Sequence, residues 1–121
     1  MNPAAFDIAN HFHEWTTDYR SDQPHLLYPE RFPTLDERCN FYRAYLTHYE
    51  ASPESLEVRI QQLDSQVRAW SPASHAMWAV WALVQARETL EAQEDEPDFD
   101  YVGYARCRME GFRRELKLLL A

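Results

Sequence analysis

Apolar residues recur along this chain at three- and four-residue spacing, the pattern of amphipathic helices and not of strands. Ala5, Ile8, Phe12, Trp15 and Tyr19 form one apolar stripe, while Asp7, Asn10, His11 and Glu14 line a second, polar stripe. Asn2 is placed to cap this first helix, with Pro3 at its first position. Residues 20–33, rich in Pro, Ser and Asp, predict a loop, after which Thr34 and Glu37 make a capping box for a helix carrying Leu35, Cys39, Tyr42 and Leu46. Ser52 and Pro53 open a third helix with the stripe Leu56, Ile60, Leu63 and Val67, and it is expected to end near Trp70. Ser71 and Pro72 then start a fourth, through about Ala92, whose Met77, Trp78, Val80, Trp81, Leu83 and Val84 make nearly every face apolar. Such a helix is expected at the centre, surrounded by others.

Residues 91–100 read as an acidic loop interrupted by proline, and Asp100 or a neighbour starts a last helix carrying Tyr104, Cys107, Phe112 and Leu116. Its late Arg113, Arg114 and Lys117 suit the negative end of the helix dipole. The prediction is an all-α fold of about five helices, with Gly103 and Gly111 as the only glycines and no internal repeat.

Composition narrows the function classes. At 121 residues the chain is one small domain or part of one. A net charge of −8 repels the phosphate backbone that dominates nucleic-acid affinity, so nucleic acid is excluded as a partner. The longest apolar run, residues 76–84, falls far short of the ~20 residues of a membrane helix, and no basic-then-apolar leader opens the chain. The expectation is a soluble, cytoplasmic protein in which Cys39 and Cys107 are buried and reduced. No metal site is expected: His11 and His13 fall on different sides of a helix, and the acidic run at 91–100 lacks the alternating ligands of a calcium loop.

The segment from Asn2 through Phe6, Asp7 and His11 to Glu14 and Trp15 resembles the second half of a signature of the choline and ethanolamine kinases. That signature reads aspartate-x-glutamate, then an asparagine, an aspartate and a glutamate at fixed spacing, and Asn2, Asp7 and Glu14 fall on the last three positions. Residues 75–86, with Trp78, Trp81 and the pair Gln85 and Ala86, are similar to a late helix of the same family, and residues 101–112 to the segment that follows it. The resemblance implies that residues 1–121 are the C-terminal helical part of an incomplete kinase-like domain. It also implies that Glu14, Tyr19, Trp78, Trp81 and Tyr104 form a cage for the substrate's cationic amine. Those residue types fit that chemistry, because a quaternary ammonium donates no hydrogen bond and is best held by ring faces beside a carboxylate. Without the resemblance, Trp78 and Trp81 are ordinary core packing and Glu14 a solvated helix charge worth ~0.2–0.5 kcal/mol. Asn2 and Asp7 are equally explained as a cap and a first-turn carboxylate.

The complete enzyme would use ATP and magnesium to phosphorylate choline or ethanolamine for phospholipid synthesis. Phosphoryl transfer needs a phosphate cradle, a metal site and a group that orients the hydroxyl. This sequence has no glycine-rich loop, no histidine-x-aspartate catalytic loop and no aspartate-x-glutamate ahead of Asn2. The chain alone is therefore expected to be inactive, with no catalytic residue and no cofactor of its own, and its partner would be a missing N-terminal lobe or a complete kinase subunit. The alternative is a truncated, non-catalytic paralogue that starts at Met1 and binds an amine or associates with a complete kinase. The acidic connection at 91–100 is longer than the family pattern and weakens the placement of Tyr104.

Overall fold

The computed structural model describes residues 2–48, 54–93 and 98–121. Its elements are four helices, α1 (Ala4–Glu14), α2 (Leu35–Thr47), α3 (Leu56–Glu91) and α4 (Tyr101–Leu120), with a 3-10 turn at Pro29–Arg31 ahead of α2. The only β pairing among the described residues is a single bridge between Thr17 and Leu27.

The chain is all-helical as its spacing predicts, but with four helices where about five were expected. Ser71 and Pro72 do not start a new helix, because both lie inside the 36-residue α3. Proline's fixed φ is compatible with helix, and its missing N–H removes one bond, that to the carbonyl of Arg68. Buried contacts offset the loss: Ser71, Ser74 and His75, on this same turn, all bond to groups of other helices. Ser52 and Pro53 lie outside the described residues, and α3 begins at Leu56 with the Ser55 hydroxyl accepting from the Val58 amide at 3.3 Å. The start of α1 is also displaced by one residue. Pro3, extended at ψ 141°, takes the cap position with no side-chain cap bond, and Asn2 is exposed outside the helix.

The other boundaries follow their chemistry. Thr34 and Glu37 exchange both bonds of a capping box, at 3.3 and 3.0 Å. Asp100 caps α4 by accepting from the Gly103 amide at 2.8 Å. Gln93, with φ at 55°, turns the chain left-handed just past α3.

Two cores form along α3, which packs against each of the other helices. In the first, Ala5, Ile8, Ala9 and Phe12 of α1 meet Tyr42 of α2 and Ile60, Leu63 and Val67 of α3. Tyr42 donates to Asp64 at 2.7 Å, and Arg38 bonds the same carboxylate at 2.9 Å, which ties α2 to α3. In the second, Ala82 of α3 meets Tyr104 and Ala105 of α4. The apolar stripe of α1 stops at Phe12, since Trp15 and Tyr19 are exposed and Tyr19 lies beyond the helix. Cys39 and Cys107 are free and half-buried.

The expectation that the Trp-rich helix is enclosed holds on only part of its surface. Val80 is 62% exposed and Leu83, Val84, Met77 and Trp81 at least 40%, so one face of α3 is bare. Its apolar residues outnumber what α1, α2 and α4 can cover.

Gly111 sets how closely α4 approaches α3. A Cβ there would lie 2.6 Å from Nε2 of His75 and 2.8 Å from its Cε1. Gly to Ala in a helix ordinarily stabilises by ~1 kcal/mol. Here the substitution Gly111→Ala is expected to reverse sign and destabilise by about 1–3 kcal/mol through overpacking. A urea titration decides it, and a raised midpoint would mean that the His75 ring has room to move.

Candidate functional site

The five side chains Glu14, Tyr19, Trp78, Trp81 and Tyr104 line one open cleft of about 360 Å³. Three elements and a loop bring them there. Glu14 ends α1 and Tyr19 follows in a turn held by the Arg20 amide on Asp18 Oδ1 at 3.1 Å. The loop then folds back, with the Tyr28 amide donating to the Thr16 carbonyl at 2.7 Å. Trp78 and Trp81 are three apart on one face of α3, 5.4 Å between ring centroids and nearly perpendicular at 77°. Tyr104, buried in the first turn of α4, stands 6.4 Å from Trp81 at 80°.

Phe99 and Tyr101 complete the wall and were not singled out from the sequence. Tyr101 lies 5.8 Å from Trp81, and Phe99 5.1 Å from Tyr101 and 5.5 Å from Tyr104. Their signal was present as an aromatic cluster flanking the α4 cap at Asp100, which fixes both neighbours. Asn10 was likewise missed as a strut: its Oδ1 accepts from Trp78 Nε1 at 3.2 Å and from the Ser74 hydroxyl. Asn2 and Asp7 are exposed and do not line the cleft.

The cleft therefore presents edge-to-face aromatic rings with a single carboxylate. Tyr19 donates its hydroxyl to Glu14 Oε1 at 3.1 Å, which steadies the carboxylate. Burial and that carboxylate push the Tyr19 phenol up to about 12, so it stays a neutral donor at physiological pH. Such a surface attracts a cation through the ring quadrupoles and the carboxylate together.

Directly behind the cleft lies a buried polar network that periodicity did not reveal. Arg108, 1% exposed, donates from Nε to the Tyr104 hydroxyl oxygen at 3.0 Å and from Nη1 to Nδ1 of both His13 and His75, each at 3.0 Å. The two imidazoles stack 3.8 Å apart, and their Nε2 atoms face Glu115 Oε1 at 3.4 and 3.3 Å. An arginine has only donors, so both Nδ1 atoms are bare lone pairs and both histidines are neutral with the proton on Nε2. Burial, with Arg108 adding to it, holds His13 down to about 4 and pushes His75 down as well. Burial alone would raise Glu115, but hydrogen bonds from His13 and His75 outweigh it and hold its carboxyl well below the usual range.

His13, His75 and Glu115 also bring three ligand-type atoms within 4.8 Å of one another. They do not fit a metal. An ion would need both Nε2 lone pairs, which would move each proton to Nδ1 and set it against Arg108, whereas a ligating histidine gives its second N–H to an acceptor. Asp7 is an exposed carboxylate in the first turn of α1. Among the described residues no helix is long and apolar enough to cross a membrane.

Residues 1–113 match the family described as choline/ethanolamine kinase. The chain is 33% identical over 120 residues to "Probable choline kinase 2" of Arabidopsis thaliana, which covers 99% of this chain and 32% of that protein. It is 34% identical over 95 residues to "Choline kinase" of Saccharomyces cerevisiae, covering 77% of this chain and 16% of the relative. With "Ethanolamine kinase 1" of Homo sapiens the identity is 35% over 116 residues, 92% of this chain and 23% of the relative. The chain thus spans about a third or less of the curated relatives it matches. The all-helical architecture agrees with that match, and the chain belongs to the choline/ethanolamine kinase family.

Proposed function

We propose that this chain is the C-terminal, substrate-binding part of a choline or ethanolamine kinase, and that its aromatic cleft holds the cationic head of the amino alcohol. The observation that carries the reading is the convergence of Glu14, Tyr19, Trp78, Trp81 and Tyr104 on one cleft from α1, α3, α4 and a loop. In the complete enzyme ATP and magnesium would supply the phosphoryl transfer, held by residues outside this chain. The bare face of α3 and the coverage of about a third of the relatives support an incomplete domain, residues 1–121 being its helical C-terminal part.

Ring faces outnumber acceptors in the cleft. A primary ammonium brings three N–H donors and meets one carboxylate, already accepting from Tyr19, whereas a quaternary ammonium needs no acceptor. Choline is the better fit of the two. Rings contributing ~0.5–2 kcal/mol each reach the roughly 4 kcal/mol of a millimolar complex with two engaged only at the upper figure, and more are needed below it.

The isolated chain is accordingly expected to bind choline in the millimolar range, to bind ethanolamine more weakly, and to show no kinase activity. Calorimetric titration of the chain and of Trp81→Ala is the test, the variant being expected to lose measurable binding. No saturable response of the wild-type chain up to about 100 mM choline would overturn the cleft assignment. Micromolar binding would instead mark a self-sufficient amine-binding module.

A further inference from the structure

We propose that Arg108 is a positioning residue for this cleft: it reaches no substrate, but through Tyr104, His13 and His75 it fixes the relative placement of the three helices that carry the cage. The inference rests on the cation-cleft reading and extends it to residues outside the cleft.

Each helix contributes one residue to the network and at least one to the cleft at fixed sequence distance. His13 precedes Glu14 on α1, and His75 lies one turn before Trp78 on α3. Arg108 lies one turn after Tyr104 on α4 and bonds its hydroxyl oxygen at 3.0 Å. A shift of any helix against the other two must therefore break a charge-assisted bond between buried side chains. The fork geometry matters as much as the charge. Nε is directed at Tyr104 and Nη1 at the two imidazoles, an arrangement that a lysine ammonium at one point cannot reproduce. A second tie joins α1 to α3: Asn10 Oδ1 accepts from the Ser74 hydroxyl and from the Trp78 indole at 3.2 Å.

The network also explains how a positive charge is tolerated behind a cation site. Arg108 lies 5.4 Å from the Tyr104 ring centroid, where an uncompensated charge would oppose a bound ammonium. The Glu115 carboxylate, on the far side of the stacked imidazoles, offsets it.

The test is NMR of the chain labelled at the tryptophan indoles, with choline titrated into wild type, Arg108→Lys, Tyr104→Phe and the double variant. In unliganded Arg108→Lys the Trp78 and Trp81 signals are expected to move, while Trp15 and Trp70, packed on Phe12 and Phe6 of α1, stay in place. Choline affinity is expected to fall roughly tenfold in each single variant, the scale of a lost charged hydrogen bond. The double variant is expected to fall by less than the product of the two single losses, because both variants cut the bond between Arg108 and Tyr104. Unmoved Trp78 and Trp81 signals, or losses that multiply in the double variant, would overturn the proposal. Should wild type give no saturable response to choline, the cation-cleft reading fails, and the unliganded shifts alone still decide whether Arg108 positions the rings. Where Arg108→Lys does not fold, Tyr104→Phe carries the decision, since it cuts the bond from Nε while those to His13 and His75 stay, and unmoved Trp78 and Trp81 signals in it overturn the proposal.

Discussion

Acidification from about pH 7 to 4 is expected to cost this fold about 3 kcal/mol through His13 alone. The unfolded chain protonates that imidazole near 6.5, whereas the folded state keeps it neutral to about 4 because of burial, with Arg108 adding a positive neighbour. Between those values the unfolded state binds the extra proton, so stability is full above 6.5 and falls as pH drops through the window. His75, lowered for the same first reason, adds loss in the same direction. Glu115, whose carboxyl is held low by the two imidazole N–H groups, contributes stability above the ordinary carboxylate range and loses it further into acid. All three slopes share one sign. Thermal midpoints measured across this range are expected to drop by roughly 10 °C for His13's share. A flat profile, or the same drop in a His13→Gln variant, would show that the imidazole is free to charge in the fold.

Replacing Arg108 by Met is expected to be the most damaging single change behind the cleft, at about 3–5 kcal/mol, the cost of leaving buried partners of a charge uncompensated. Three acceptors lose their donor at once, Tyr104 and the two Nδ1 atoms, and Glu115 loses the cation it faces across the rings. Methionine fills much of the volume, so the loss measures polarity rather than a cavity. The exposed pair Arg87 and Glu91, at 2.9 Å, provides the contrast, since truncating Arg87 is expected to change stability by less than about 0.5 kcal/mol. Urea titration of both variants checks the difference. Comparable effects would mean that the Arg108 network is solvated in solution.

Most of the helical architecture was legible because caps and stripes are local. Thr34 with Glu37, Asp100, and the Ile60, Leu63 and Val67 stripe each act within one or two turns, and each appears where its spacing places it. The break expected at Pro72 failed because a proline's cost is local while the contacts that outweigh it come from α1 and α4, far away in sequence. The same distance hid the buried network. Nothing near Arg108, His13 or Glu115 distinguishes them from surface charges, since His13 and Arg108 are 95 residues apart and only the fold brings them together. Five cleft residues, Glu14, Tyr19, Trp78, Trp81 and Tyr104, were legible through the family pattern. Phe99, outside the quoted motifs, and Tyr101, at the edge of one, were legible as wall residues only once the fold placed them beside Trp81 and Tyr104.

The proline inside α3 bears on how the protein opens. Position 72 has no amide hydrogen to exchange, and the carbonyl of Arg68 receives none from it, so the hydrogen-bond ladder of the rod is thinned between the two cores. Amides on the Ile60–Val67 side are backed by α1 and α2, and those on the Trp78–Ala82 side mainly by α4. Deuterium uptake should divide at this turn, with the half that carries the tryptophans able to fray while the Phe12 core stays shut.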